Sequence, residues 1–511
     1  MRYLLRDYVE KLIEEDLVRA YDLNGMGDTS IGLVTYDSRK TGKNGIFICK
    51  GNAFRAEYLR EALNGGCICY IAEKQYETEK ASAWIEVTDI RRAMPVLAEM
   101  FYNTSEHQVR LTAITGTKGK TTTAYYLKAI LDAWERKKGG RETGFSTSIE
   151  TYDGKERRPS LLTTPEALEL HEHIWNAEEQ GLSFFTMEVS SQALKYHRVR
   201  RLDYEVGVFL NISEDHISPA EHESFEDYFS SKLSMFRQVR TACVNLDSDY
   251  SERIRKAARL AGKVITFGTK GNPDIWGHDV TIHKDKISFR VYCDRFHEKF
   301  SLRMHGLFNV ENALAAIAAA YAYEIPVECM QEGLADVQVE GRMEEFESRN
   351  RKLVAIVDYA HNRLSFEKLF DSVFKEYPDY RIVTVFGCPG DKAFNRRRDL
   401  GLVAGLFSDQ VYLTTDDPGT ESVAKIAGEI SRYVEMVGCP CTTIEDRTLA
   451  IRKAVECAAG KTVVLVLGKG NEGRQRFGQT ICECPKDAEV VRKSILQYDK
   501  NCMRTVAMGS F

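Results

Sequence analysis

One stretch constrains this chain more than any other: Leu111-Thr-Ala-Ile-Thr-Gly116-Thr117-Lys118-Gly119-Lys120-Thr121-Thr122-Thr123. An apolar run enters a glycine-bounded loop, and Lys-Thr then opens a segment with Leu127, Ile130, Leu131 and Trp134 at helical spacing. A strand, a tight loop and a helix in that order belong to an α/β sheet. Gly116 and Gly119 let the backbone approach an anion closely. The helix N-terminus then offers free N–H groups and a positive dipole end. Lys120 is placed to neutralise β- and γ-phosphates, and the Thr121 hydroxyl to hold Mg²⁺. The spacing is G-x-x-G-K-T, two residues shorter than the usual G-x(4)-G-K-S/T loop. No G-x-G-x-x-G opens either α/β region, so ATP rather than a dinucleotide is the expected ligand.

The rest of the chain alternates in the same way. Residues 46–49 and 67–72 read as short strands with a helix over 53–64 between them, and 89–102 as a further helix. A polar seam follows at 103–108. Strands are then expected at 111–115, 184–189, 206–211, 242–245 and 264–267, with helices over 121–134 and 309–323. After a second seam near 339–342 the alternation restarts, with strands at 353–357, 382–386, 411–414 and 463–467. Continuous β-branched runs separated by helices indicate parallel strands joined by crossovers. The expected fold is α/β in three domains. These are a small N-terminal unit (1–108), a central P-loop ATPase-like unit (109–340) and a C-terminal Rossmann-like doubly wound unit (341–511).

Composition excludes several classes. Over 511 residues, 70 Lys and Arg against 75 Asp and Glu give a net charge of −5, which offers no basic field for nucleic acid. Apolar runs such as 463–467 fall far short of the ~20 residues that span a bilayer. The N-terminus mixes charges into a helical period and lacks the apolar core of a signal peptide. The 13 cysteines are irregularly spaced and form no zinc pairs, as expected of reduced thiols in the cytoplasm. A cytoplasmic monomer acting on small molecules is the expectation.

Further motifs fall into one order along nearly the whole chain. They are Met187-Glu188-Val-Ser190-Ser191-Gln192, Asn211-Ile-Ser-Glu-Asp215-His216, His305-Gly-Leu-Phe-Asn309, Gly341-Arg342-Met-Glu344 and Asp358-Tyr-Ala-His361. With the phosphate loop, this series resembles the ATP-dependent Mur ligase family. Asp37-Ser38-Arg39 and Leu467-Gly468-Lys469-Gly470-Asn471-Glu472 are similar to the branch that adds the third residue of the peptidoglycan stem peptide. The resemblance implies amide formation by way of an acyl phosphate, with UDP-N-acetylmuramoyl-L-alanyl-D-glutamate as acceptor.

It also implies roles for individual residues. Lys120, Glu188, Lys232 and His216 become catalytic candidates, with Thr121, Glu188, His216 and a carbamylated Lys232 holding two Mg²⁺ ions. An unmodified Lys232 ammonium would repel Mg²⁺, whereas a carbamate supplies an oxygen ligand. Asn309, Arg342 and Asp358 match nucleotide positions. Ser38 and Arg39 match the uridine diphosphate segment; Thr163, Thr164, Ser190, Gln192 and Arg198 match positions that hold the acceptor. Read singly, most of these would be ordinary cap or surface residues.

For the incoming amino acid the implied set is Arg397 (Arg396 in the alternative register), Asp416, Asp417, Gly468 and Glu472. Family members that add diaminopimelate typically show Asp-Asn-Pro-Arg where this chain has Asp416-Asp417-Pro418-Gly419. Without that arginine a second carboxylate goes unpaired, so L-lysine or another basic diamino acid is expected. The chain also departs from the family pattern at Lys118, at Arg55-Ala-Glu57, at His361-Asn-Arg363, at Lys392-Ala393 and at Asn471. These departures leave open a ligase of the same mechanism with another carboxylate acceptor. A non-catalytic nucleotide-binding protein is a further alternative, which the joint presence of Lys120, Thr121, Glu188, His216 and Lys232 disfavours.

Overall fold

The computed structural model describes residues 3–51, 54–77, 83–218, 221–284, 286–478 and 480–508, with side chains as far as 503. Three sheets follow one another along it. The first has five strands in the order Val18–Asp22, Ala83–Val87, Cys67–Ala72, Gly45–Ile48, Leu33–Thr35, and only Val18–Asp22 runs antiparallel. The helix expected over 53–64 is Ala56–Asn64; Ala53 lies outside the described residues. Helix Ile90–Tyr102 starts where it does because the Asp89 carboxylate accepts the N–H groups of Arg91 and Arg92.

The second sheet has eleven strands. Its parallel middle runs Ile275–Ile282, Lys263–Gly268, Val239–Asn245, Tyr204–Phe209, Arg110–Thr115, Phe184–Glu188, Gly144–Ser146. Antiparallel strands extend both edges: Ile287–Tyr292 and His297–Leu302 on one side, Glu150–Tyr152 and Arg157–Pro159 on the other. Helices Lys120–Lys138 and Phe308–Ala322 pack together over the middle strands through Leu127, Ile130, Leu314 and Ile317. The second helix is apolar nearly all round, with Ala315, Ala316, Ala318, Ala319 and Ala320 fully buried, as suits a helix enclosed in a core.

The third sheet runs Glu344–Glu347, Leu353–Asp358, Thr462–Leu467, Arg381–Phe386, Gln410–Leu413, Cys441–Thr443, parallel except for its first strand. Leu353–Asp358 and Thr462–Leu467 are buried along their whole length, which explains their unbroken apolar runs. A hairpin, Arg474–Phe477 with Thr480–Glu483, stands apart and bridges to Gly419 through Phe477. Among the described residues no helix is long and apolar enough to cross a membrane.

Open α/β sheets collect ligands at the carboxyl ends of their strands. The phosphate loop follows Arg110–Thr115, Glu188 ends Phe184–Glu188, and residues 211–216 follow Tyr204–Phe209. In the third sheet, 359–362, 414–419 and 468–472 likewise follow strands. The two sets meet: Asn362 and Arg396 each donate to Asp215 at 2.6 Å, and Lys368 reaches Glu311 at 2.8 Å.

Candidate active site

The phosphate loop needs both of its glycines. Gly116 has φ +154° and Gly119 φ +84°. A Cβ on Gly116 would lie 2.9 Å from Leu210 Cβ, and one on Gly119 would overlap Asn312 Oδ1. No side chain caps helix Lys120–Lys138, so its first N–H groups stay directed at the loop. Lys120 Nζ curls back to the Gly116 and Thr117 carbonyls at 2.9 and 3.3 Å. Thr121 Oγ1 donates to Glu188 Oε1 at 2.8 Å, and the Ser148 amide donates to the same oxygen at 2.8 Å. His216 Nδ1 sits 2.9 Å from Glu221 Oε1, so Nδ1–H donates to that carboxylate and a neutral imidazole offers its Nε2 lone pair. Lys232 lies behind the loop, buried, with Nζ donating to the Gly116 carbonyl at 2.9 Å. Burial, reinforced by nearby Lys120, pushes its ammonium well below the usual lysine range.

Thr117, Lys118, Gly119, Lys120, Thr121 and Thr122 line a cavity of about 210 Å³ together with Glu188 and His216. The third sheet closes it with Arg342, Asp358, Tyr359 and His361. Arg342 lies over the Tyr359 ring, 4.4 Å from its centroid. Asp358 accepts the Met343 and Ala360 amides at 2.8 and 2.7 Å, while burial raises its carboxyl. Asn309, expected at the nucleotide, does not line this cavity. Its amide donates to the His305 carbonyl at 2.6 Å and accepts from Asn312 at 2.9 Å, so it braces Asn312, which does line the cavity.

A second cleft, of about 850 Å³, adjoins the first, with Ser148, Thr163, Arg342 and Tyr359 in both walls. Among the residues expected to hold the acceptor, Thr163 lines this cleft and Thr164 is buried beside it. Thr164 Oγ1 donates to the Glu188 carbonyl at 2.9 Å and accepts the Ser190 amide at 3.0 Å. Arg198 pairs with Glu166 at 3.0 Å and donates to the Thr164 carbonyl at 3.3 Å; Gln192 contacts Glu221 at 3.5 Å. Ser38 and Arg39 stand apart on the first sheet's surface, bonded to Glu61 at 2.7 Å and to Asp37 at 2.8 Å.

The amino-acid end differs from the expectation at the arginines. Arg397 is not open to a carboxylate: it is buried and held by Glu421 and Glu429 at 2.6 and 2.7 Å. Arg396 turns instead to Asp215. Two local acids pair with the first guanidinium and one buried acid with the second, and neither side chain lines either cleft. Asp417 and Glu472 do reach the cleft wall, and both share Lys469, at 3.1 and 3.2 Å. Desolvation lowers Lys469, but nearby Asp416, Glu472 and Asp417 together raise it above the usual lysine value. Burial raises Asp416 and Glu472 in turn, and Arg447 as well as Lys469 acts on Asp416. Gly468 has φ +110°, and its amide donates to the Asp358 carbonyl at 3.2 Å, joining the two strand-end loops.

Sequence reasoning missed Ser148 and Asn312, and gave no role of their own to Lys469 and Asp215, which lie inside the quoted motifs. Asn312 had a signal, its i+3 spacing from Asn309 on the same helix face. Ser148 follows a three-residue strand too short to read.

Comparison with known proteins then decides the family. The Mur ligase middle domain matches residues 114–320, and the Mur ligase, glutamate ligase domain matches residues 341–470. The chain is 37% identical over 491 residues to the UDP-N-acetylmuramoyl-L-alanyl-D-glutamate–L-lysine ligase of Enterococcus faecalis, covering 93% of this chain and 94% of that one. This chain belongs to the Mur ligase family. A second Mur ligase relative, the 2,6-diaminopimelate ligase of Caldanaerobacter subterraneus subsp. tengcongensis, is 34% identical and covers 93% of this chain and 97% of its own length. Among solved Mur ligase structures, a UDP-N-acetylmuramoyl-L-alanyl-D-glutamate–2,6-diaminopimelate ligase superposes with a TM-score of 0.65 at 23% identity, covering 98% and 99% of the two chains. MurF ligase from Thermotoga maritima in complex with ADP gives 0.62 at 16% identity, covering 92% and 97%. Both likenesses show the three-sheet Mur ligase fold.

Proposed function

We propose that this Mur ligase uses ATP to join a basic diamino acid, L-lysine first among them, to UDP-N-acetylmuramoyl-L-alanyl-D-glutamate in peptidoglycan synthesis. One observation carries the reading. The cavity built on the phosphate loop shares Ser148, Thr163, Arg342 and Tyr359 with the large cleft lined by residues of the second and third sheets' units. A phosphoryl group and an acid–amine pair can therefore meet at one point.

The three units, 1–108, 109–340 and 341–511, divide the work. Ser38 and Arg39 on the first would meet the uridine diphosphate; Thr163, Thr164, Ser190, Gln192 and Arg198 on the second would hold the muramoyl peptide. The acceptor carboxylate oxygen attacks the γ-phosphorus and the bond to ADP breaks. The amine nitrogen then attacks the acyl carbon and gives up a proton, and the carbon–oxygen bond to phosphate breaks. Acid, amine and ATP thus become amide, ADP and phosphate. Lys120 and the uncapped helix N-terminus receive the phosphates, with Arg342 beside them from the third unit.

The donors present suit Mg²⁺: a hydroxyl and a carboxylate in contact at Thr121 and Glu188, and His216 oriented by Glu221. Bound there, Mg²⁺ would screen the phosphate and carboxylate as they approach. Lys232 favours the neutral amine, the form that takes up CO₂ as a carbamate, and a carbamate would add an oxygen donor behind the loop. The lysine preference is supported by the acids Asp416, Asp417 and Glu472 gathered at Lys469 and by Gly419, which stands where the diaminopimelate-adding pattern has an arginine.

The test supplies ATP, Mg²⁺ and UDP-N-acetylmuramoyl-L-alanyl-D-glutamate with L-lysine, L-ornithine or meso-diaminopimelate, and reads product mass. A lysine or ornithine adduct is expected. Preferential use of meso-diaminopimelate refutes the amino-acid assignment, and no adduct with any amine refutes the acceptor.

A further inference from the structure

Lys118 stands where the family pattern usually has asparagine, and its surroundings give it a task. Its backbone is pinned on both sides. The Lys118 amide donates to Asn211 Oδ1 at 2.9 Å, and Asn211 Nδ2 donates to the Lys118 carbonyl at 3.1 Å. The side chain therefore has one direction to take, across the junction between the second and third units. There Nζ lies 2.9 Å from His361 Nε2.

The direction of that hydrogen bond follows from the next one. His361 Nδ1 lies 2.7 Å from the Tyr359 carbonyl, which can only accept, so Nδ1 carries the proton and Nε2 offers its lone pair. Lys118 is then the donor. Asp215, 3.9 Å from Nζ, is already engaged by Asn362 and Arg396 of the third unit. Burial drives the Lys118 ammonium down to about 7; Asp215 opposes this, whereas Arg396, Lys120 and Arg342 add to it. Lys118, Lys120 and Arg342 all line this cavity.

We propose that Lys118 and His361 couple the third unit to the nucleotide: docked His361 holds the Lys118 ammonium toward the cavity, where its remaining N–H groups take a phosphate oxygen of the bound triphosphate. Lys118 thereby becomes a second cation of the phosphate loop that is in place only when the third unit is docked. An asparagine at this position is too short to span the junction. The proposal rests on reading the small cavity as the ATP site.

Calorimetry with a non-hydrolysable ATP analogue and Mg²⁺ tests it without any acceptor. Lys118→Met and His361→Asn should each weaken binding by about tenfold, and the double variant by about tenfold again in total rather than about a hundredfold, because both remove one oriented cation. Asn reproduces the Nδ1 position of His361, whereas Gln reproduces Nε2, so His361→Gln should keep affinity within about threefold of wild type. A merely structural role for His361 would not separate those two amides. Lys118→Gln serves as the second variant at the loop, and melting curves establish that each protein is folded. Additive losses, or equal effects of Asn and Gln at 361, overturn the coupling alone. Failure of the wild-type protein to bind the analogue overturns the ATP site and the coupling with it.

Discussion

Installing the missing arginine at Gly419 should damage the protein without changing its amino-acid preference. Gly419 has φ +57°, and a Cβ there would overlap Asp391 Oδ2. The left-handed conformation alone costs an L-residue about 1–2 kcal/mol. Asp391 must also move, and it accepts the Thr420 amide at 2.7 Å and the Thr420 hydroxyl at 2.6 Å. Displacing that exposed carboxylate adds to this, so Gly419→Arg should cost at least about 1–2 kcal/mol. Removing the obstructing carboxylate in Gly419→Arg/Asp391→Ala should recover nothing of the lost bonds but relieve the overlap, leaving the arginine free to swing into the cleft. The assay pairs urea or thermal unfolding with competition between L-lysine and meso-diaminopimelate, read by product mass. The single variant should be destabilised and should still prefer lysine. A Gly419→Arg protein with wild-type stability that takes diaminopimelate would refute both the clash and the specificity argument built on it.

Other outcomes follow from the same geometry. Lys120→Ala should cut acceptor- and amine-dependent ADP release by at least about a hundredfold, since it removes a cation that lines the phosphate-loop cavity. Glu188→Gln keeps the contact to Thr121 but removes the charge, and should raise the Mg²⁺ concentration needed for half-maximal turnover by about 10–100-fold. Buried Asp153 gives a pH signature. Its burial raises the carboxyl, but hydrogen bonds from His173, the Glu156 amide and Asn176 outweigh this and hold it at about 2. The stabilisation is thus present above the ordinary carboxylate value and is lost as pH falls through 2. Asp153→Asn should cost about 2 kcal/mol in urea unfolding at pH 6, and that difference should shrink as both proteins are titrated from pH 4 toward 2. A difference that stays constant across this range would show that the Asp153 charge contributes nothing.

What could be read from sequence, and what could not, divides along a physical line. The long parallel strands were legible because they are buried on both faces, so Leu353–Asp358 and Thr462–Leu467 are apolar without interruption; three-residue parallel strands such as Leu33–Thr35 and Gly144–Ser146 were too short to read. The antiparallel edges were not: Arg157–Pro159 is exposed throughout and carries no periodic signal. The same line runs through the site. The phosphate loop is local, with strand, glycines, lysine and helix in one stretch, and its residues from Thr117 to Thr122 line one cavity. The amino-acid end is assembled from loops far apart in sequence, and there the pairing of charges decides what each residue can do. Nothing near Arg397 says that Glu421 and Glu429 will claim it, nor does Arg396 announce Asp215, 181 positions away. A motif match identifies which side chains are present; whether a guanidinium is free to bind a substrate depends on which acids the fold has already given it. On that basis Asp417 and Glu472, which hold Lys469 and line the cleft, are better placed to meet a substrate than either arginine.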